Sequence, residues 1–272
     1  MEVDGHLRRS ARHPPTGAEV VNTLPLADTV AVVTGAADGL GKAIGRRLAA
    51  DGCAVAALDI KETPNGTAPA NDNLPGSVTP WTCDVTNPVA IRAAITDIVG
   101  ALGGVDILVN NAGLLSGRAS LLDATPEELH RFYDVNAVGA LLLVQACFPY
   151  LRESSHRGRI INIASRTFFT GSPGQIGYVA SKGALLGMTR VMARELGEYR
   201  ITVNAVLPAQ VATPGTRAHS GDDVFQRTMA QQAIGEFVTP EDFAGLVAYL
   251  ASPDAKLVTG QSLVCDGGGL LH

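Results

Sequence analysis

From Thr29 onward, short apolar runs rich in β-branched residues alternate with longer segments of helical period. Seven such runs stand out: TVAVVTG (29–35), CAVAALDI (53–60), TPWTCDV (79–85), VDILVNNAG (105–113), GRIINIAS (158–165), ITVNAVLP (201–208) and QSLVCDGG (261–268). Between them lie GLGKAIGRRLAADG (39–52), PVAIRAAITDIVGAL (88–102), the long segment 126–151, YVASKGALLGMTRVMARELGEY (178–199) and PEDFAGLVAYLAS (240–252). In the first of these, Leu40, Ile44 and Leu48 recur every four residues, and Asp51-Gly52 ends the helix. The runs are continuously apolar, as in strands covered on both faces. Strand–helix alternation of this kind points to a parallel sheet with helical crossovers. The sequence therefore predicts an α/β fold: one domain, a doubly wound seven-stranded parallel sheet with helices on both faces. Residues 61–78, rich in Pro, Asn and Gly, read as a loop.

Composition narrows the function classes. Of 272 residues, 46% are hydrophobic, enough for a sizeable core. The net charge of −5 argues against a nucleic-acid partner, which needs clustered basic charge. No run of eighteen apolar residues occurs, so no transmembrane helix and no membrane partner is expected. Cys53, Cys83, Cys147 and Cys265 are far apart and lie in apolar stretches, which predicts reduced thiols of a cytoplasmic protein and no metal site. Residues 1–28 carry Pro14-Pro15 and several charges but no apolar run for a signal peptide. The acids Glu2, Asp4 and Glu19 speak against a transit peptide, and the segment reads as a mobile N-terminal extension of a domain covering 29–272.

In doubly wound folds ligands sit beyond the carboxyl ends of the strands, so those ends carry the chemistry. The first strand ends in TGAADGLG, with Gly35, Gly39 and Gly41 opening a helix at Leu40. Such a turn lets backbone approach a pyrophosphate while the helix directs N–H groups at it. Its spacing is G-x3-G-x-G, not the commonest dinucleotide fingerprint. The second strand ends at Asp59-Ile60, and Asp59 lies eighteen residues after Gly41. A carboxylate there accepts hydrogen bonds from ribose hydroxyls and repels a 2′-phosphate, which favours NAD over NADP. Asp38 adds a second acid, and Lys61 is the only nearby cation. Asp84 and Val85 stand where an adenine amino group and ring are met. In NNAG, Asn110 reads as structural, while the backbone of Asn111, Ala112 and Gly113 lines the cofactor.

TGAADGLG, NNAG, the serine of INIAS, YVASK and the terminal VTGQSLVCDGG occur in the order and spacing of the short-chain dehydrogenase/reductase family, which this chain resembles from Thr29 to Gly268. Ser165 stands thirteen residues before Tyr178, as in that family. The resemblance implies a Rossmann fold, a nicotinamide cofactor, hydride transfer between an alcohol and a carbonyl, and a catalytic set of Asn136, Ser165, Tyr178 and Lys182. It also implies contacts of Lys182 with the nicotinamide ribose, of Val211 and Thr213 with the nicotinamide amide, and a water held by Asn136. One departure is Pro208-Ala209, where the family has Pro-Gly: either this turn keeps negative φ or the loop over the nicotinamide is shaped differently.

Tyr178 and Lys182 share a helix face at i and i+4. An ammonium there favours the phenolate and lowers the phenol's pKa, and so does the cationic ring of NAD+. Tyr178 is then the general base for a substrate hydroxyl, or the general acid for a carbonyl, with Ser165 bonded to the same oxygen. Blander readings exist for each residue: a surface Tyr/Lys pair, Ser165 as a cap, Asn136 as a backbone tie. Two other function classes are a non-catalytic binding protein on this fold, against which the intact set of four speaks, and a 3-oxoacyl-carrier-type or C=C reductase.

The segments nearest the substrate are Leu114-Leu115, Phe168-Phe169 and a substrate loop at about 211–237. They are mainly apolar, with Arg118 and Arg166 as the flanking cations, which predicts a neutral, hydrophobic or ring-bearing secondary alcohol and its ketone. The alternative is that the two phenylalanines fill core. Val179, Leu185, Leu186, Met188, Val191, Met192 and Leu196 spread around the helix from Tyr178, which predicts a homo-oligomer, a dimer or homotetramer, burying its far side.

Overall fold

A computed structural model of the protein describes residues 24–62, 65, 73–115, 120–213, 216 and 221–271. Most of the N-terminal extension, Arg118 and parts of the 61–78 and 211–237 loops lie outside the described residues.

The sheet has seven parallel strands in the order β3-β2-β1-β4-β5-β6-β7. They are β1 (Val30–Thr34), β2 (Ala54–Asp59), β3 (Ser77–Thr82), β4 (Ile107–Asn110), β5 (Arg159–Ile163), β6 (Thr202–Pro208) and β7 (Ser262–Cys265). The fold is the expected doubly wound, Rossmann-like α/β sheet. β1, β4 and β5 are buried along their whole length. The two edge strands are largely half-exposed, and β3 carries Pro80, which an edge tolerates because its N–H side need not join a ladder.

Helices α1 (Gly39–Ala50) and α8 (Pro240–Ala251) cover one face, packing Ile44, Leu48, Phe243 and Val247 against Val33, Val55 and Ile161. Helices α2 (Pro88–Leu102), α4 (Gly139–Glu153) and α6 (Ile176–Leu196) cover the other, with Ile95, Leu143, Cys147 and Met192 against Val32, Leu108 and Val203. Each such aliphatic side chain, fully buried, contributes roughly 1.5–3 kcal/mol. Local signals set the helix ends: Asn87 accepts from Val89 and Ala90 N–H to start α2, and Gly103 at φ 95° ends it. Thr239 and Asp242 form a reciprocal capping box on α8.

Three details differ from the sequence reading. The segment expected as one helix from 126 to 151 is α3 (Pro126–Tyr133), a π-helical stretch at Asp134–Val138, then α4. Short helix α7 (Asp222–Ala230) falls in the region read as the substrate loop, and α5 (Thr167–Thr170) where no element was expected; four to nine residues are too few for a periodic signal. The far side of α6 is mixed: Val191 is exposed, but so are Arg190, Arg194 and Glu195. The stretch Pro126–Glu153 is long and apolar enough by composition to span a membrane. Its apolar residues Leu143, Val144, Cys147 and Leu151 are instead buried in the second core.

Beyond β1 the chain turns to α1 on one face; beyond β4, its sheet neighbour, it turns to the opposite face. The reversal opens a crevice at the carboxyl ends of these two strands.

Candidate active site

The outer part of the crevice is shaped by backbone. Gly35 and Gly39 hold φ of +63° and +55°, the left-handed region a side chain disfavours. Gly41 is required for space: a Cβ there would meet the Gly35 carbonyl and come within 2.6 Å of the Asn111 Nδ2. That amide donates to the Thr34 and Gly35 carbonyls at 2.8 and 3.1 Å, locking the turn to the end of β4. The Thr34 hydroxyl accepts from the Asn111 and Ala112 N–H groups at 3.0 and 2.9 Å. Asp38 is the N-cap of α1 but makes no side-chain cap bond, so the first-turn N–H groups are left for another acceptor. A glycine cradle with a helix N-terminus behind it suits a pyrophosphate.

Asp59 closes the far end. Its carboxylate accepts from the Ala37 N–H at 3.0 Å and the Lys61 N–H at 3.1 Å, joining the end of β2 to the glycine turn. The Lys61 ammonium pairs with Asp38, which raises the lysine's pKa, with a smaller push from Asp59. Asp38 is therefore not the free second acid that the sequence suggested, and the charge argument falls on Asp59.

Gly35, Asp38, Gly39, Leu40, Gly41, Asp59, Ile60, Asp84, Val85, Asn111, Ala112 and Gly113 line a cavity of about 410 Å³, as do Val211 and Thr213. Asp84 uses one oxygen to hold the Thr86 N–H and hydroxyl, both at 2.8 Å. Thr213 packs over Gly39, its Cβ 3.5 Å from where a glycine side chain would begin. Sequence reasoning passed over Thr34, Cys83, Val135 and Thr216. For Thr34 the signal was a lone hydroxyl closing an apolar run; the other three carry none. Ala209 also lines the cavity and is not among the residues with positive φ, so the Pro208-Ala209 turn keeps the conformation alanine allows.

Ser165, Tyr178 and Lys182 form the inner wall of the same cavity. Lys182 is 4% exposed, and its Nζ donates to the Ile163 carbonyl at 2.7 Å and lies 6.0 Å from the Tyr178 ring centre. Burial lowers its pKa to about 8. Burial raises the Tyr178 pKa, and a hydrogen bond with Ser165 works against that rise. Without a ligand, then, the phenol is not depressed as the i, i+4 spacing suggested: desolvation outweighs its partners. The Ser165 hydroxyl does cap its turn, accepting from the Thr167 N–H at 3.2 Å, and also meets the Thr167 hydroxyl at 2.8 Å.

Asn136 is buried behind this wall rather than on it. Its Oδ1 accepts from the Leu114 N–H at 2.8 Å, and its Nδ2 donates to Ser181 Oγ at 3.0 Å and to the Leu114 carbonyl at 3.4 Å. Ser181 in turn donates to the Tyr178 carbonyl at 2.7 Å. The π-helical turn at Asp134–Val138, a device often found at functional sites, aims Asn136 at both segments. Gly113 is fitted beside it: an added Cβ would lie 3.1 Å from Asn136 Oδ1 and 3.4 Å from Lys182 Nζ. Asn110 bonds Asn162 across the strands at 2.9 Å, a structural tie.

On the substrate side, Leu114 and Leu115 line the cavity, but Phe168 and Phe169 do not. They are 44% and 39% exposed, edge to face at 5.1 Å, and Phe168 lies against Gly183 of α6. Neither pocket wall nor core describes them. Arg166 pairs with Asp266 at 2.9 Å. Cys53, Cys83 and Cys147 are buried thiols pushed up to about 12, 11 and 12, too high for thiolate chemistry at neutral pH.

A family model described as "Enoyl-(Acyl carrier protein) reductase" matches residues 35–269. The 3-oxoacyl-[acyl-carrier-protein] reductase FabG of Thermotoga maritima is 35% identical over 88% of this chain and 96% of its own. The (3R)-3-hydroxyacyl-CoA dehydrogenase of Mus musculus is 35% identical over 92% of this chain and 99% of its own. Dehydrogenase/reductase SDR family member 4 of Pongo abelii is 36% identical over 90% of this chain and 88% of its own. The chain belongs to the short-chain dehydrogenase/reductase family of oxidoreductases.

Proposed function

We propose that the protein is an NAD(H)-dependent dehydrogenase/reductase that interconverts a secondary alcohol and a ketone, with Tyr178 as general acid and base. The observation that carries this reading is the convergence of Ser165, Tyr178 and Lys182 on the inner wall of the cavity whose outer wall is the glycine cradle and Asp59. When bound, NAD(H) supplies the hydride acceptor or donor. The cradle at Gly35–Gly41 holds its pyrophosphate, and Asp59 accepts from the adenosine ribose, where a 2′-phosphate would meet its charge. Asp84 and Val85 take the adenine; the Asn111–Gly113 backbone, Val211 and Thr213 flank the nicotinamide.

Tyr178 takes the proton from the substrate hydroxyl in oxidation and returns it to the carbonyl oxygen in reduction. Ser165 donates to that oxygen. Lys182, with a pKa of about 8, stays mainly charged at pH 7, and an ammonium near a phenol favours the phenolate. Asn136 holds the Leu114 backbone and α6 in register, which fixes the cavity wall beside Tyr178.

Leu114, Leu115 and Val135 make the substrate end apolar, and Asp266 already occupies Arg166, so the substrate is neutral and hydrophobic or ring-bearing. A second reading, a 3-oxoacyl thioester reductase, is favoured by the substrates in the names of the FabG and 3-hydroxyacyl-CoA relatives. One experiment separates them: kcat/KM with NAD(H) and NADP(H) for 1-phenylethanol, cyclohexanol, a sugar alcohol, a hydroxy acid and acetoacetyl-coenzyme A. The highest value for 1-phenylethanol or cyclohexanol with NAD+ is expected. Acetoacetyl-coenzyme A ahead of both selects the second reading, and a preference for NADPH overturns the role of Asp59.

The protein works as a cytoplasmic homo-oligomer in this reading. Four free cysteines suit a reducing compartment. Val191 of α6 is 57% exposed and Leu141 of α4 37%, apolar area that a second copy would cover. Light scattering at micromolar concentration is expected to give a dimer or tetramer mass; a monomer mass refutes it.

A further inference from the structure

Asp266 follows β7 and is 3% exposed, although it bears a charge. One of its oxygens accepts from the Gly268 and Gly269 N–H groups at 3.0 and 3.1 Å; the other accepts from Arg166 at 2.9 Å. Arg166 is the residue after Ser165 and the N-cap of α5, and its side chain is 14% exposed. The pair joins positions 100 residues apart. On its other side the glycine run touches the loop after α7. A Cβ on Gly269 would stand 2.6 Å from the Arg166 guanidinium, and one on Gly268 3.0 Å from Ala233 Cβ. The Ile234 N–H donates to the Gly267 carbonyl at 2.8 Å. The seam therefore runs from Ser165 through Arg166, Asp266 and the glycines to residues 232–234, with no room for an added methyl along it.

Resting on the proposed role of Ser165, we infer that Arg166 and Asp266 are positioning residues. Their ion pair fixes the turn that presents the Ser165 hydroxyl and fastens it to the C-terminal segment and the loop after α7. The physical ground is that, among the described residues, the Ser165 side chain is otherwise held only within its own turn, by Thr167, and by Tyr178. A turn of four residues, three of them exposed, has little packing of its own to resist a shift, whereas a buried charge pair leaves both partners costly to separate. A catalytic hydroxyl must be held within a fraction of an ångström to act.

The test uses Arg166→Met, Asp266→Asn and the conservative Arg166→Lys. The doubly neutral Arg166→Met/Asp266→Asn keeps the question open to experiment if one stranded charge prevents folding. Two measurements are combined. Amide hydrogen exchange on the ligand-free protein is expected to show faster exchange in peptides covering both 165–171 and 231–237, with the core strands unchanged. Kinetics with 1-phenylethanol and NAD+, or acetoacetyl-coenzyme A and NADH, are expected to show kcat about 10- to 100-fold lower with the cofactor KM within twofold. Arg166→Lys should recover part of the loss. Added to Ser165→Ala, Arg166→Met should cost nothing further, because both act through one hydroxyl. Unchanged exchange at 165–171, unchanged kcat, or losses that add fully to those of Ser165→Ala overturn the inference. A wild-type protein inactive on both probes refutes the proposed reaction instead, and the exchange measurement still decides whether the pair holds the turn.

Discussion

The two sides of the cavity are built by different means. On the β1–β2 side, the shape comes chiefly from backbone conformation: two left-handed glycines and Gly41 with no room for a methyl, tied by Asp59 to the Ala37 N–H and by the Asn111 amide to the Gly35 carbonyl. On the β5–β7 side, the shape depends on contacts between segments distant in the chain: Arg166 with Asp266, 100 positions on, and the glycines after β7 with residues 232–234. A backbone constraint restricts residue type at one position and is visible in a single sequence. A side-chain meeting needs two complementary residues and leaves neither one distinctive.

Replacing Tyr178 by Phe should break the chemistry of the second side and leave the first intact. Loss of a positioned proton-transfer group is expected to lower kcat about 10²–10⁴-fold. Cofactor affinity, read by quenching of the lone Trp81 or by NADH fluorescence, should change less than threefold. The ring itself packs edge to face on Phe132 at 6.4 Å, and phenylalanine preserves that contact, so folding should be unaffected. Turnover within a few-fold of wild type would mean that the inner wall does not carry the reaction.

Asp59→Asn addresses the first side. The neutral amide keeps an acceptor for the Ala37 N–H but removes the charge facing a 2′-phosphate. Two like charges about 5 Å apart repel by roughly 3 kcal/mol at an effective dielectric of 20, and screening at this partly open site leaves about half. The ratio of kcat/KM for NAD+ over NADP+ should thus fall about tenfold, with little change in kcat for NAD+. A ratio unmoved by the substitution would shift the discrimination to Asp38 and Lys61, whose pairing then becomes the feature to mutate.

The difference between the sides also explains what could be read in advance. All seven strands were legible because each is a short apolar run with helical segments between. The cavity-lining residues of the glycine turn and NNAG were legible for the backbone reason above. The π-helical turn was not: Asp134–Val138 has the composition of ordinary helix, and only the contacts of Asn136 with Leu114 and Ser181 show why it widens. Nor was the fate of Phe168 and Phe169, since an aromatic pair reads the same whether it faces a pocket, a core or solvent. Arg166 looked like a free cation until Asp266, 100 positions away, was found beside it.

Lys182, on the inner wall, gives the smallest but most diagnostic effect. Its pKa falls from 10.5 to about 8 because burial disfavours the ammonium. A lysine depressed in the folded state costs stability, fully at pH below the folded value and progressively less as pH rises from 8 toward the unfolded value of 10.5. The gross cost at neutral pH is roughly 3 kcal/mol at about 1.4 kcal/mol per unit. Methionine removes that cost but leaves the buried Ile163 carbonyl without its Nζ donor, which takes back about half of it at roughly 1–3 kcal/mol for an unsatisfied group. Lys182→Met should therefore abolish turnover yet leave the ligand-free protein about 1 kcal/mol more stable at pH 7, a rise in Tm of about 2–4 °C. The gap should narrow between pH 8 and pH 9 by about 1 kcal/mol, because the wild type then sheds its buried charge and the variant has none to shed. Thermal melts of both proteins from pH 6.5 to 9.5 measure it directly. A gap that stays constant across that range would mean the ammonium titrates normally, and that the inner wall is wetter and less strained than the buried lysine implies.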